Sequence, residues 1–266
     1  MMGLAVEIVD LSVGTRGRAL LSIDRLEIAA GEFVAVMGPN GAGKSTLLRT
    51  CLGMQRQVQG RVTILKESLG RMNAMGLTRV RRLVGYVPQL LPTHSELPLT
   101  VREVVSIGRT GIAGLFRPLG KGDWHVIDEW IDRLGLSPLA ARPFSEISGG
   151  EQRKTVIARA MAQEPKLLLL DEPTANLDLG WRERIVEILE AIYQRARLSV
   201  VLVCHELEAL PPSCRQVVIL DRGQVLAIGP PERILSDELV GRLYGPNLIV
   251  RHQNGRHATI PRGSER

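Results

Sequence analysis

The sequence predicts an α/β fold: a parallel core sheet with helices, an antiparallel β-subdomain near the N-terminus, and an inserted helical subdomain. Three observations predict it. The apolar run Phe33-Val-Ala-Val-Met37 leads into a glycine-rich loop and then a helical pattern over Thr46–Leu52. The run Leu167-Leu-Leu-Leu-Asp171 is apolar on both faces, as a strand inside a parallel sheet must be. Between them, from Leu99 to Ala162, apolar residues recur at helical rather than alternating spacing.

The elements follow in order. Leu4-Ala-Val-Glu-Ile-Val9 and Leu26-Glu-Ile28 alternate apolar and polar residues, the pattern of a sheet with one wet face. Gly60–Leu65 reads as a further strand, and Leu83–Pro88 as another, ended by its proline. Val101, Val104, Val105 and Ile107 share one helical face, and Val126, Ile127, Trp130, Ile131 and Leu134 another. The helical insertion is placed at about 90–163. A helix at about 180–197, a strand over Ser199–Cys204, a short helix and strands near 216–221 and 224–228 complete the alternation. From Gly245 the composition turns polar, with one or two strands and a frayed end.

Composition narrows the class. The 266 residues are 44% hydrophobic and only 3% aromatic, so the core must be largely aliphatic. No basic segment followed by a long apolar stretch opens the chain, and no apolar run of about 18 residues is present, so neither a signal peptide nor a bilayer span is expected. Cys51, Cys204 and Cys214 lack metal-ligand spacing and read as buried thiols. Five arginines against one glutamate between Arg242 and Arg266 carry +4 of the net +6. Four of these arginines fall in a basic extension, residues 245–266 after a main domain over 1–244, which suits anionic headgroups or an acidic partner better than nucleic acid. Its histidines, His252 and His257, are too few and too widely spaced for a metal site.

The loop between the first core strand and its helix reads Gly38-Pro-Asn-Gly-Ala-Gly-Lys-Ser45, a phosphate-binding pattern in its required strand–loop–helix context. Glycines let consecutive backbone N–H groups curl around phosphate oxygens, and the helix start adds the positive end of its dipole. Lys44 then reaches the β- and γ-phosphates, and the Ser45 hydroxyl ligates Mg²⁺. Nucleotide hydrolysis also needs carboxylates, and Asp171-Glu172 ends the second core strand. Asp171 is expected in the Mg²⁺ shell and Glu172 as the base that activates water. Ser148-Gly149-Gly150 is a second anion-binding helix start, redundant within one chain unless it serves another subunit's nucleotide.

The ordered set Gly38–Ser45, Gln89, Ser148–Gly150, Asp171–Glu172, Asp178 and His205 resembles the ATP-binding subunit of ABC transporters, over about nine-tenths of the chain. The resemblance implies a P-loop NTPase cassette. It also implies that two copies stack head to tail around two ATP molecules, with Ser148, Gly149 and Gly150 closing on the γ-phosphate held by the partner. By that likeness Pro39, Asn40, Gly41, Ala42, Gly43 and Thr46 belong to the nucleotide cradle and Asp178 couples the two sites. His205 contacts the γ-phosphate, and Gln89 approaches Mg²⁺ and relays nucleotide state. A polytopic membrane permease is the implied partner, with an extracytoplasmic substrate-binding protein beside it. The chain would then sit peripherally on the cytoplasmic face of the membrane, with no role for nucleic acid.

Two positions depart from the family pattern. Thr15, flanked by Arg16 and Arg18, stands where an aromatic ring usually stacks on adenine; an arginine plane would stack instead, or the base is held more weakly. Glu151 stands where glutamine is usual, bringing negative charge nearer the partner's ATP and slowing turnover. The segment Leu99–Arg109, with Gly111 and Arg117, and the ending Leu243-Tyr-Gly245 are similar to importers of metal ions and iron chelates. An exporter or other small-solute transporter, or a soluble ATPase of DNA repair or translation, would carry the same motifs. The repair type normally inserts a long coiled coil between Lys44 and Ser148, and only about a hundred residues without sustained heptads lie there. The translation type would be expected to carry two cassettes, and this chain has one.

Overall fold

The computed structural model describes residues 3–15, 18–55, 57–89, 99–114, 117–196 and 198–262. Strands β1 (Leu4–Thr15) and β2 (Arg18–Ala29) form a long antiparallel pair, followed by β3 (Phe33–Met37) and helix α1 (Lys44–Cys51). β4 (Gln57–Ile64), β5 (Glu67–Ser68), α2 (Ala74–Arg81) and β6 (Val84–Val87) come next. The helical insertion comprises α3 (Val101–Ala113), α4 (Lys121–Arg133) and α5 (Gly149–Ala162). Then come β7 (Leu167–Asp171), α6 (Leu179–Ala196), β8 (Ser199–Val203), β9 (Gln216–Asp221) and β10 (Gln224–Gly229). The described chain closes with α7 (Pro231–Ile234), α8 (Asp237–Tyr244) and the hairpin β11 (Leu248–Gln253) and β12 (Arg256–Pro261).

The six-stranded core sheet has the order β10-β9-β3-β8-β7-β6, parallel except for β10 at its edge. Its central strands are buried on both faces, and the period of two divides their side chains between two cores. Val34, Val36, Leu167, Leu169, Val201, Val203, Val218 and Leu220 face α1 and the antiparallel sheet. Phe33, Ala35, Met37, Leu168, Leu170, Val200, Leu202, Val217 and Ile219 face the opposite way. That second core is continuous with the buried faces of α3, α4 and α5, through Val101, Val105, Ile127, Ile131 and Val156. The insertion therefore shares the core of the sheet. Its expected first residues, 90–98, lie outside the described part.

Gly60–Leu65 is a strand, but it belongs to the antiparallel sheet, ordered β2-β1-β4-β5. Where β1 meets β4 the register slips between Val9 and Ser12, and Asp10 takes a left-handed φ of 48°. The slip moves the buried set from Val6 and Ile8 to Leu11 and Val13. Gly60 (φ 89°) faces this bulge, and a Cβ there would lie 2.1 Å from the Asp10 carbonyl oxygen. Only glycine fits.

The segment Leu99–Arg109, similar to metal importers, has an internal use. Thr100 and Glu103 form a capping box on α3. Val101, Val104 and Val105 are buried, and a Cβ on Gly108 would lie 2.1 Å from the Arg159 carbonyl oxygen, so α3 and α5 cross at backbone contact. Arg109 binds Asp123 (2.9 Å), Glu164 (2.5 Å) and the Ala162 carbonyl (3.2 Å), tying α3 to α4 and to the loop before β7. In the basic extension, Arg256 is engaged by Glu183 at 2.7 Å, which pins the β11–β12 hairpin to α6.

Candidate active site

Helix α1 begins at Lys44, where the phosphate-loop reading starts it, because Gly43 takes the left-handed conformation (φ 101°) and turns the chain directly into the helix. A Cβ on Gly38 would lie 2.0 Å from the Leu220 carbonyl oxygen, and one on Gly43 would lie 2.7 Å from Leu21. The loop is thus pressed between β9 and β2, and its amides are set before any ligand arrives. Lys44 is 5% exposed and donates to the carbonyls of Gly38 (2.7 Å) and Pro39 (3.2 Å). Burial pulls its ammonium below the usual lysine range, with Glu172 pushing it back up.

Asp171 ends β7 beside this loop. Its Oδ1 accepts from the Ser45 hydroxyl at 3.0 Å and its Oδ2 from the Tyr86 hydroxyl at 3.4 Å. Burial raises its pKa above the ordinary aspartate value, only partly opposed by the Ser45 bond. The chain then turns sharply: Glu172 has φ 47°, a strained value for a residue with a long side chain, and its N–H bonds the Val203 carbonyl at 2.9 Å. The turn aims the carboxylate back into the cleft. Its Oε2 accepts from Gln89 Nε2 at 2.6 Å, and its Oε1 lies 3.9 Å from Lys44 Nζ and 3.5 Å from His205 Nδ1. That histidine nitrogen is buried without a hydrogen-bond partner. An open cleft of about 410 Å³ lies over the loop, with Asn40, Gly41, Lys44, Ser45, Thr46, Gln89 and Glu172 in its walls. Gln89, expected toward Mg²⁺, donates to Glu172 in this structure. The base-stacking expectation at Thr15, Arg16 and Arg18 falls outside the described side chains.

Ser148, Gly149, Gly150 and Asp178 stand outside that cleft. Ser148 caps α5, and Asp178 caps α6 through a bond from the Trp181 N–H to Oδ1 at 2.9 Å. The two helix starts touch. The Trp181 indole lies on Gly150, where a Cβ would be 2.0 Å from Cδ2. Glu151 is folded back onto Ser148 in a capping box rather than extended from the helix end.

Sequence reasoning missed three residues around these loops. Arg153, buried on α5, donates to the carbonyls of Pro88 (2.8 Å) and Gln89 (3.1 Å) and so joins the Ser148 helix to the Gln89 loop. Tyr86 and Trp181 are the others. A basic residue at the fifth position of a helix gives no local signal of a partner more than sixty residues away. His252 and His257, widely spaced in sequence, are set opposite one another by the hairpin, Nδ1 to Nδ1 at 2.7 Å. His252 Nε2 is engaged with the Leu235 carbonyl, and among the described residues no cluster of three metal-ligating side chains is present. No described helix is long and apolar enough to cross a membrane.

A strand-to-helix phosphate loop facing a carboxylate pair at the end of the neighbouring core strand defines a nucleotide triphosphatase of the P-loop class. Residues 21–175 match the sequence profile of the ABC transporter family. The manganese transport system ATP-binding protein MntB of Halalkalibacterium halodurans is 31% identical over 249 residues, covering 94% of this chain and 95% of that protein. The hemin import ATP-binding protein HmuV of Rhodococcus jostii is 34% identical over 260 residues, 96% of this chain and 86% of the relative. The dimeric, post-hydrolysis structure of the ATP-binding cassette MJ0796 with ADP and Pi superposes with a TM-score of 0.72 at 27% identity, covering 85% of this chain and 98% of that one. The chain belongs to the ABC transporter family as an ATP-binding subunit, and it is an ATPase.

Proposed function

We propose that two copies of this chain pair head to tail around two ATP molecules and drive a polytopic membrane permease, importing a metal ion or a metal chelate. One observation carries the pairing: the chain holds a phosphate cradle and a base in one cleft, while its second anion-binding helix start, Ser148–Gly150, lies outside it. A partner's Ser148, Gly149 and Gly150 complete each cleft. The dimeric ADP-bound relative supports that reading. The names of the manganese and hemin relatives support the cargo class, and the system then includes an extracytoplasmic substrate-binding protein, with this chain on the cytoplasmic face.

Within each cleft, the amides of Gly41–Ser45 and Lys44 hold the β- and γ-phosphates. The hydroxyl–carboxylate pair Ser45–Asp171, hard oxygen donors 3.0 Å apart, fits Mg²⁺, with Gln89 able to join once it leaves Glu172. When bound, Mg²⁺ neutralises charge that develops on the transferring phosphoryl group. Glu172 takes a proton from the attacking water as its oxygen bonds to the γ-phosphorus and the bond to the bridging oxygen of ADP breaks. His205 stands beside Glu172, its Nδ1 3.5 Å from Oε1 and without a hydrogen-bond partner, and contacts the γ-phosphate when nucleotide is bound. Loss of the γ-phosphate reopens the pair.

The test is Glu172→Gln. It is expected to bind ATP, lose nearly all turnover and accumulate a dimer in sedimentation, and adding Ser148→Arg is expected to abolish that dimer. Full-rate hydrolysis by chains held as monomers would overturn the reading.

A further inference from the structure

Ser148 has one hydroxyl proton, and the structure shows where it goes. The Ser148 hydroxyl donates to Glu151 Oε2 at 2.7 Å and accepts from the Glu151 N–H at 3.3 Å. The same Oε2 also accepts from the Ser148 N–H at 2.8 Å. These bonds hold the carboxylate ionised, below the ordinary glutamate range. The donor side of the hydroxyl is therefore committed to a full negative charge.

The residues around it leave little freedom to rearrange. Gly150 is held beneath the Trp181 indole, and Gln152 Nε2 donates to the carbonyls of Phe144 and Ile147, at 3.1 and 3.2 Å. The Gly149 and Gly150 amides, first in α5, have no intrahelical acceptor. They stay available to an anion while the hydroxyl beside them does not.

Resting on the shared-pocket reading above, we propose that Glu151 is a positioning residue that competes with the partner's γ-phosphate for the Ser148 hydroxyl proton, and so sets the ATP level at which two cassettes close. Closure must redirect the hydroxyl's hydrogen bond from carboxylate to phosphate, the proton staying on Ser148 Oγ. It also leaves the carboxylate beside a like charge, held by the Ser148 N–H alone. A glutamine at this position keeps the reciprocal cap, since either side chain closes a capping box. It offers the hydroxyl only a neutral acceptor, about half as strong as a charged one. The residue thus makes closure demand more nucleotide without altering the helix.

The experiment uses the full chain with Glu172→Gln as background and ATP as the probe, reading dimer fraction by sedimentation across an ATP titration. Adding Glu151→Gln is expected to lower the half-point about five- to tenfold. Repeating the comparison on Ser148→Ala should shrink that shift to less than twofold, because the contested proton is gone. An unmoved half-point in Glu151→Gln would overturn the proposal and leave Glu151 a helix cap. A shift that persists in full with Ser148→Ala would also overturn it, assigning the effect to bare charge repulsion. Both outcomes differ from failure of the shared pocket, in which the background chain forms no ATP-dependent dimer or forms one that Ser148→Arg does not disturb.

Discussion

Gly149 and Gly150 are adjacent in sequence and chemically identical, yet the structure assigns them opposite tolerance to a methyl group. A Cβ on Gly149 meets only Leu177 Cδ2 at 3.9 Å, ordinary van der Waals contact. A Cβ on Gly150 would stand 2.0, 2.3 and 2.5 Å from Cδ2, Cε3 and Cε2 of Trp181. The indole must move more than 1 Å, and it sits in the first turn of α6, whose cap is Asp178. Overpacking of this kind costs about 1–3 kcal/mol. The helix-propensity gain of alanine over glycine, at most ~1 kcal/mol and smaller in a first turn, offsets part of it. Gly150→Ala is therefore expected to lose about 0.5–2.5 kcal/mol of stability, whereas Gly149→Ala stays within ~0.5 kcal/mol of the parent. Urea denaturation followed by far-UV circular dichroism measures both. Intrinsic fluorescence of the folded state should shift in Gly150→Ala alone, since Trp181 is the ring displaced. Equal stabilities and unchanged emission in the two variants would refute the packing argument.

Other outcomes follow from the same geometry. Lys44→Ala removes the one buried cation of the cradle and is expected to weaken ATP binding at least tenfold in equilibrium titration; unchanged affinity would displace Lys44 from the phosphates. Arg153→Met leaves the Pro88 and Gln89 carbonyls without their donor, at a cost of about 1–3 kcal/mol in urea denaturation. Its ATPase activity should fall further than that of an equally destabilised surface variant, and equal losses would make the residue merely structural. Asp171→Asn bears on pH. Burial raises the Asp171 pKa, so above the ordinary carboxylate value of 3.8 the folded state binds more proton than the unfolded one. That excess means stability falls as pH rises from 3.8 through the raised pKa. Asp171→Asn should then be more stable than the parent at pH 7, with the advantage shrinking toward pH 4. A less stable Asp171→Asn at pH 7 would contradict the burial argument.

What the sequence made legible was local. The strand–loop–helix at 33–51, the buried strand at 167–171 and the strands at 199–203, 216–221 and 224–229 each announce themselves within a short window, by continuous apolar runs and glycine punctuation. The elements it hid are those whose signal is short or whose partner is remote. Helix α2 buries only Val80 and carries Arg79 and Arg81, so no apolar face repeats. Helix α8 is eight residues long, although Ser236 at its cap, Asp237 and Glu238 in its first turn and Arg242 in its last were readable signals. That β4 joins β1 rather than the core sheet depends on a bulge at Asp10 and on Gly60, fifty residues apart. The site divides in the same way. Gly38–Ser45 and Asp171–Glu172 are contiguous motifs, whereas the Arg153 grip on the Gln89 loop and the indole on Gly150 join distant segments by side-chain reach alone.

The resting cleft has its reactive groups occupied by one another. Lys44 is bonded to its own loop carbonyls, Gln89 to Glu172 and Ser45 to Asp171, while outside the cleft Ser148 is bonded to Glu151. Each bond satisfies a group that would otherwise stand charged or orphaned in a partly buried place. Each must also break before phosphate can be held. A triphosphate offers enough negative oxygens to replace the acceptors of Lys44 and Ser148 together, but those two side chains stand in separate parts of the chain. Exchange of the first set alone leaves Ser148 on Glu151, and only a second cleft brought against α5 supplies the other acceptor. In the proposed pair, release of the Glu172 carboxylate, held at 2.6 Å by Gln89, requires movement of the loop that Arg153 ties to α5. In that pair, the Arg153 guanidinium and the two carbonyls it holds are the shortest structural link between the Ser148 helix start and the Gln89–Glu172 bond.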